Sequence, residues 1–205
     1  MPADAGGRPL RLVIRTDGAA RGNPGPASCG AVLIDAARSD AHDPDGEPLA
    51  AVSRALGVRT NNVAEYAGLV LALREARRLG ADEVELLLDS KLIVEQLNGR
   101  WRVKDAKLKG LFIEAQRHLA TFRRWSAAHE PRARNRAADA LANLALDDPA
   151  AAESLVADIA RRHGREPGVG ERPASPAGPG GDSPGGDSLA GDGAEGAAGP
   201  GGPRG

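Results

Sequence analysis

Apolar and polar positions change period several times along the chain, and each change predicts a boundary between elements. Residues 10–16 (LRLVIRT) and 27–35 (ASCGAVLID) are apolar runs of strand length, joined by the glycine- and proline-rich turn GAARGNPGP. A third run, 48–56 (PLAAVSRAL), follows the polar loop ARSDAHDPDGE, so the first third of the chain predicts an antiparallel meander. Val63, Tyr66, Ala67, Val70 and Leu71 then recur at helical spacing. Asn62 stands where an N-cap belongs, Glu65 three residues on as its capping-box partner, and Gly80 as the stop.

The pattern then shortens. DEVELLLDS (82–90) is a strand-like run ending in Asp89, KLIVEQLNG (91–99) a short helix closed by Asn98-Gly99, and DAKLKGLFIEAQRHLATF (105–122) a longer helix. FRRWSAAH (122–129) predicts a fifth strand, and NRAADALANLAL (135–146) a helix with Asp139 on its first turns. PAAAESLVADIARRHG (149–164) extends the helical region. A meander followed by β–α units predicts an α/β fold: a mixed five-stranded sheet flanked by helices. The expected organisation is a flexible N-terminus over 1–9, a compact domain over 10–147, a helical extension over 148–165 and a disordered tail over 166–205.

Composition separates that tail from the body. From Glu166 onward the chain holds 14 of its 27 glycines and no aromatic residue, too little apolar surface to offset the entropy of ordering. Six acids against two basic residues give the tail −4, so the net −1 of the whole chain conceals a body of +3. Residues 100–136 concentrate eleven Lys and Arg against three acids, which is either a solvated helix face or a surface for a polyanion. The single cysteine, Cys29, excludes an internal disulfide framework and fits a reducing compartment as a small buried side chain. No run of about 18 apolar residues and no signal-peptide core occurs, so a soluble cytoplasmic protein without membrane contact is expected.

Four acids interrupt otherwise apolar elements: Asp17, Glu65, Asp89 and Asp139. Each has an ordinary explanation on its own: a turn cap for Asp17, the capping box for Glu65, an N-cap for Asp89 and a solvated helix position for Asp139. Asp17 and Asp89, however, both close strands at the C-terminal end, so neighbouring strands would bring their carboxylates together, with Glu65 approaching from the first helix. Clustered carboxylates repel unless a cation lies between them, and oxygen ligands of this kind suit hard divalent ions.

With these residues in place the chain resembles the type 1 ribonuclease H family over residues 10 to about 147, in a compact form without a basic protrusion. TDGAARGNPGPASCGAVL, TNNVAEYAGLVLAL, LLLDSKLIVEQLNG and HEPRARNRAADALANLAL are similar to that family's four motifs, in order. The resemblance implies two Mg²⁺ ions, replaceable by Mn²⁺, on Asp17, Glu65, Asp89 and Asp139, and a loop histidine assisting proton transfer or product release at His129. It also implies that Asn23, Thr60, Asn61 and Asn62 contact an RNA–DNA hybrid, with helix capping as the alternative role of Asn61 and Asn62. The basic grip falls on Arg100, Arg102, Lys104, Lys107 and Lys109, and Trp101 either stacks on a sugar or packs inside. The implied activity is hydrolysis of the RNA strand by a monomer without an obligate protein partner. The competing readings are a non-catalytic nucleic-acid-binding domain of the same fold and a nuclease for double-stranded RNA or DNA junctions.

Overall fold

The computed structural model describes residues 8–166. Five strands, β1 (Arg11–Ala20), β2 (Gly25–Asp35), β3 (Ala50–Arg59), β4 (Glu83–Leu88) and β5 (Arg124–His129), form one sheet in the order β3-β2-β1-β4-β5. The first three are antiparallel, while β4 runs parallel to β1 and β5 parallel to β4, the mixed sheet expected. Helices α1 (Asn61–Arg78), α2 (Lys91–Leu97), α3 (Ala106–Leu119), α4 (Arg136–Asp147) and α5 (Pro149–Arg162) complete the fold. Residues 98–105 alone join α2 to α3. Residues 1–7 and the expected tail beyond Glu166 lie outside the described residues.

Alternation along β1 divides the core. Leu12 and Ile14 join Tyr66, Leu69 and Leu73 of α1 and Leu111 and Leu119 of α3 in the main cluster, whereas Val13 packs with Ile34, Ala41 and Leu87. Each fully enclosed aliphatic side chain of this kind stabilises the fold by about 1.5–3 kcal/mol. A further cluster of Val32, Ala51, Leu141 and Ile159 seats α4 and α5. Among the described residues no helix is long and apolar enough to cross a membrane.

Two local expectations are corrected. The first strand does not stop at Thr16-Asp17: its ladder with β2 runs on through Asp17↔Gly30 to Ala20↔Ala27, and Arg21 N then closes the turn on Pro26 O at 2.9 Å. Asp17 is therefore an interior strand residue. The N-cap of α1 is Thr60, not Asn62, because the Thr60 hydroxyl accepts from Val63 N and the helix already includes Asn61. Glu65 is then too far along to close a capping box, and its carboxylate is left for another use. Gly80, at φ +74°, does end the helix region.

Candidate active site

Two glycines let helices from elsewhere in the chain close on Asp17. A Cβ at Gly18 would stand 2.4 Å from the backbone nitrogen of Glu65, so only glycine lets α1 lie this near β1. Gly30, paired with Asp17 across the ladder, does the same for α4, since a Cβ there would lie 2.4 Å from the Ala138 carbonyl oxygen. The Ser53 hydroxyl fastens the same helix by donating to the Leu141 carbonyl at 2.7 Å. Asp89 follows β4, the parallel neighbour of β1, so its carboxylate arrives beside Asp17 as the sequence predicted. Asp17, Glu65 and Asp89 line one cavity of ≈ 520 Å³ with Asn61, Arg132 and Asn143. Asp139, on the first turn of α4, is hydrogen-bonded to Asp17 and to the last two of these.

The electrostatics follow from burial. Asp17 is 5 % exposed, and its carboxyl is pushed up to about 8 by desolvation, with the Asp89 charge and the hydrogen bond to Asp139 adding to it. The Gly18 N–H, donating to Asp17 Oδ1 at 2.9 Å, opposes the rise. Glu65 is likewise raised by desolvation and lowered by the Ser90 hydroxyl and the Asn61 amide, which donates to Oε1 at 2.7 Å. Its other oxygen, Oε2, is buried without a partner. Asp139 moves the other way, held below the usual carboxylate range first by the Arg132 guanidinium, whose Nη2 donates to Oδ1 at 2.8 Å. Asn143 Nδ2 donates to Oδ2 at 3.0 Å.

This donor set fits a divalent metal in its chemistry: hard oxygens, one of them an orphan, and a carboxyl whose charged form is disfavoured by burial and by the neighbouring Asp89 charge. Among the described residues no three candidate ligands yet converge tightly enough to hold an ion, and Arg132 is the cation standing against Asp139. Arg132 and Asn143 were not singled out from the sequence. Asn143 was detectable, because a residue four positions beyond Asp139 shares its helix face, whereas Arg132 reaches Asp139 only through the turn at 132–134.

His129 is the last residue of β5, as the strand expected over 122–129 requires, and its pairing Leu88↔His129 takes it out of the loop that the resemblance implied. Its Nε2 donates to the Asp89 carbonyl at 3.2 Å, which leaves Nδ1 free to take a proton. Asn23 is exposed and accepts from Asn61 N at 3.2 Å, so the β1–β2 turn is tied to the start of α1. Of the other proposed contacts, Thr60 caps α1, Asn61 holds Glu65, and Asn62 is exposed without a capping role. Arg102, Lys104 and Lys107 are exposed on the α2–α3 connection and the start of α3, outside the acid cavity. Arg100 is engaged by Glu95 at 3.0 Å, and Trp101 is 47 % exposed rather than packed.

Comparison with known proteins decides the family. A family profile described as reverse transcriptase-like matches residues 15–145. Ribonuclease HI of Halobacterium salinarum is 44 % identical over 145 residues, which cover 71 % of this chain and 67 % of that protein. The chain belongs to the type 1 ribonuclease H family. A second ribonuclease H relative, LC11-RNase H1, has been solved in complex with an RNA/DNA hybrid. It superposes with a TM-score of 0.60 at 38 % identity, covering 67 % of this chain and 98 % of that one. The bifunctional protein Rv2228c of Mycobacterium tuberculosis is 49 % identical over 149 residues, 73 % of this chain but only 38 % of its own length. The ribonuclease H domain thus spans well under half of that relative.

Proposed function

We propose that this protein is an endoribonuclease that hydrolyses the RNA strand of RNA–DNA hybrids, leaving 5′-phosphate and 3′-hydroxyl ends. The observation that carries the reading is that Asp17, Glu65 and Asp89 line one cavity and that a buried Glu65 oxygen there makes no hydrogen bond. A domain that only bound nucleic acid would gain nothing from carboxylates set against phosphates. Asp17 and Asp89 would hold two divalent ions jointly, Mg²⁺ or Mn²⁺, with Glu65 and Asp139 each completing one. Such ions supply activation of the attacking water and charge stabilisation at the leaving 3′ oxygen.

The chain's own groups do the rest. Asn61 fixes Glu65 Oε1, so the free Oε2 is presented in one orientation. Asn143 and Arg132 hold Asp139 ionised and in place. His129, anchored through Nε2 on the Asp89 carbonyl, would offer Nδ1 as a proton carrier beside that acid. The Asn23 turn is joined to the N-terminus of α1, and from there amide and hydroxyl groups of Asn23, Thr60 and Asn62 would read ribose 2′-hydroxyls without base preference. Arg102, Lys104 and Lys107 would hold the partner strand through its phosphates. The test is cleavage of an end-labelled hybrid by the purified protein in Mg²⁺ and in Mn²⁺. Asp17→Asn is expected to lose turnover by about a thousand-fold or more, and normal cleavage by that variant would sink the assignment.

A further inference from the structure

Beside the acid cavity lies a buried cation that the proposed chemistry does not use. Arg15, two residues before Asp17 on β1, is 1 % exposed and is the largest of the fully enclosed side chains. A guanidinium cannot shed its proton, so its burial is tolerable only where its donors are matched. Its Nε donates to Glu130 Oε2 at 3.2 Å, its Nη2 to the His42 carbonyl at 3.1 Å and its Nη1 to the Ala41 carbonyl at 3.4 Å. The other oxygen of Glu130 accepts from Arg134 Nε at 3.3 Å, and Arg134 Nη2 reaches the same His42 carbonyl at 2.8 Å. The backbone N–H of Glu130 donates to Leu88 O at 2.9 Å.

Glu130 is therefore fixed at three points, and in sequence it stands between two groups that touch the acids. On one side His129 rests on the Asp89 carbonyl, and on the other Arg132 holds Asp139. We propose that Glu130, gripped by Arg15 and Arg134, is a positioning residue. It clamps residues 129–135 to β1 and to the β2–β3 loop, and thereby sets His129 and Arg132 against the acid cavity. The role needs a carboxylate, because each oxygen serves a different arginine; a glutamine would turn an N–H₂ group toward one of them. The consequence for catalysis rests on the hydrolytic reading above, whereas the clamp itself does not.

Two measurements separate the clamp from that reading. In substrate-free protein, hydrogen exchange at the amides of residues 129–135 is expected to quicken by about ten-fold or more in Glu130→Gln, with β1 and α1 amides unchanged. Arg134→Gln, at an exposed position, should give a smaller increase at the same amides and serves where Glu130→Gln is too unstable to measure. Exchange unchanged in both variants overturns the clamp. In hybrid cleavage, Glu130→Gln should lower kcat by about ten-fold while KM stays within about two-fold. In a His129→Ala/Arg132→Ala background the same change should cost less than about two-fold, since it acts through those side chains. A loss that multiplies fully in that background overturns the positioning role. A wild-type protein that cleaves no hybrid would reject the hydrolytic reading, and the exchange result would still decide the clamp.

Discussion

Asp17 carries the largest electrostatic burden of any residue at the site, and its behaviour with pH is predictable. In the folded, metal-free chain burial pushes its carboxyl up to about 8, while in the unfolded chain it keeps the ordinary aspartate value of 3.8. Between these values the unfolded state releases a proton that the folded state keeps, so this contribution to stability falls as pH rises and is lost in full above about pH 8. Asp17→Asn should therefore be more stable than the metal-free wild type at pH 8–9, on the order of 2 kcal/mol or more, with the gap closing toward pH 4. Denaturant unfolding across that range checks the sign, and a variant less stable than wild type at high pH would contradict it. Divalent cations should narrow the gap by stabilising only the wild type. The four acids were legible in the sequence because each interrupts an apolar element. Their counter-groups were less so: Arg132 carries no periodic signature, and the Asn61 amide read as a substrate contact or a cap until Thr60 took the N-cap.

At the scale of elements, the site depends on how closely α1 and α4 approach the centre of the sheet. Gly18 and Gly30 govern that distance, for added Cβ atoms would fall within 2.4 Å of backbone atoms of α1 and α4 respectively. Gly30→Ala should push α4 and Asp139 outward, lowering hybrid cleavage by about ten-fold or more while costing about 1–3 kcal/mol of stability. Kinetics beside thermal melting test this, and full activity in that variant would show that α4 placement is not limiting. Strand and helix order could be read from periodicity, since the runs were long and flanked by Gly, Pro and Asn. The end of β1 could not, because small residues 18–20 beyond Asp17 resemble a turn until the ladder with β2 is seen. The end of β5 at His129, by contrast, was legible, and its pairing with Leu88 agrees with it.

Across the whole molecule, α5 closes the face opposite α1. Ile159, 7 % exposed, packs with Val32, Ala51 and Leu141 beneath α4, the helix that carries Asp139. Ile159→Ala should cost about 2–4 kcal/mol and lower the melting temperature by at least about 5 °C, with KM for hybrid unchanged in the protein that remains folded. A melting temperature equal to wild type would show that α5 does not brace the sheet. Net charge hides the corresponding electrostatic division, since the −4 of the segment from Glu166 onward offsets the +3 of the rest of the chain. The central claim, that this molecule cuts RNA paired to DNA, is tested most directly by incubating the wild-type chain in Mg²⁺ with one sequence prepared as hybrid, RNA duplex and DNA duplex, and analysing the ends formed. The expected result is cleavage of the RNA strand of the hybrid alone, giving 5′-phosphate and 3′-hydroxyl ends; equal cleavage of either homoduplex, or none of the hybrid, would contradict it.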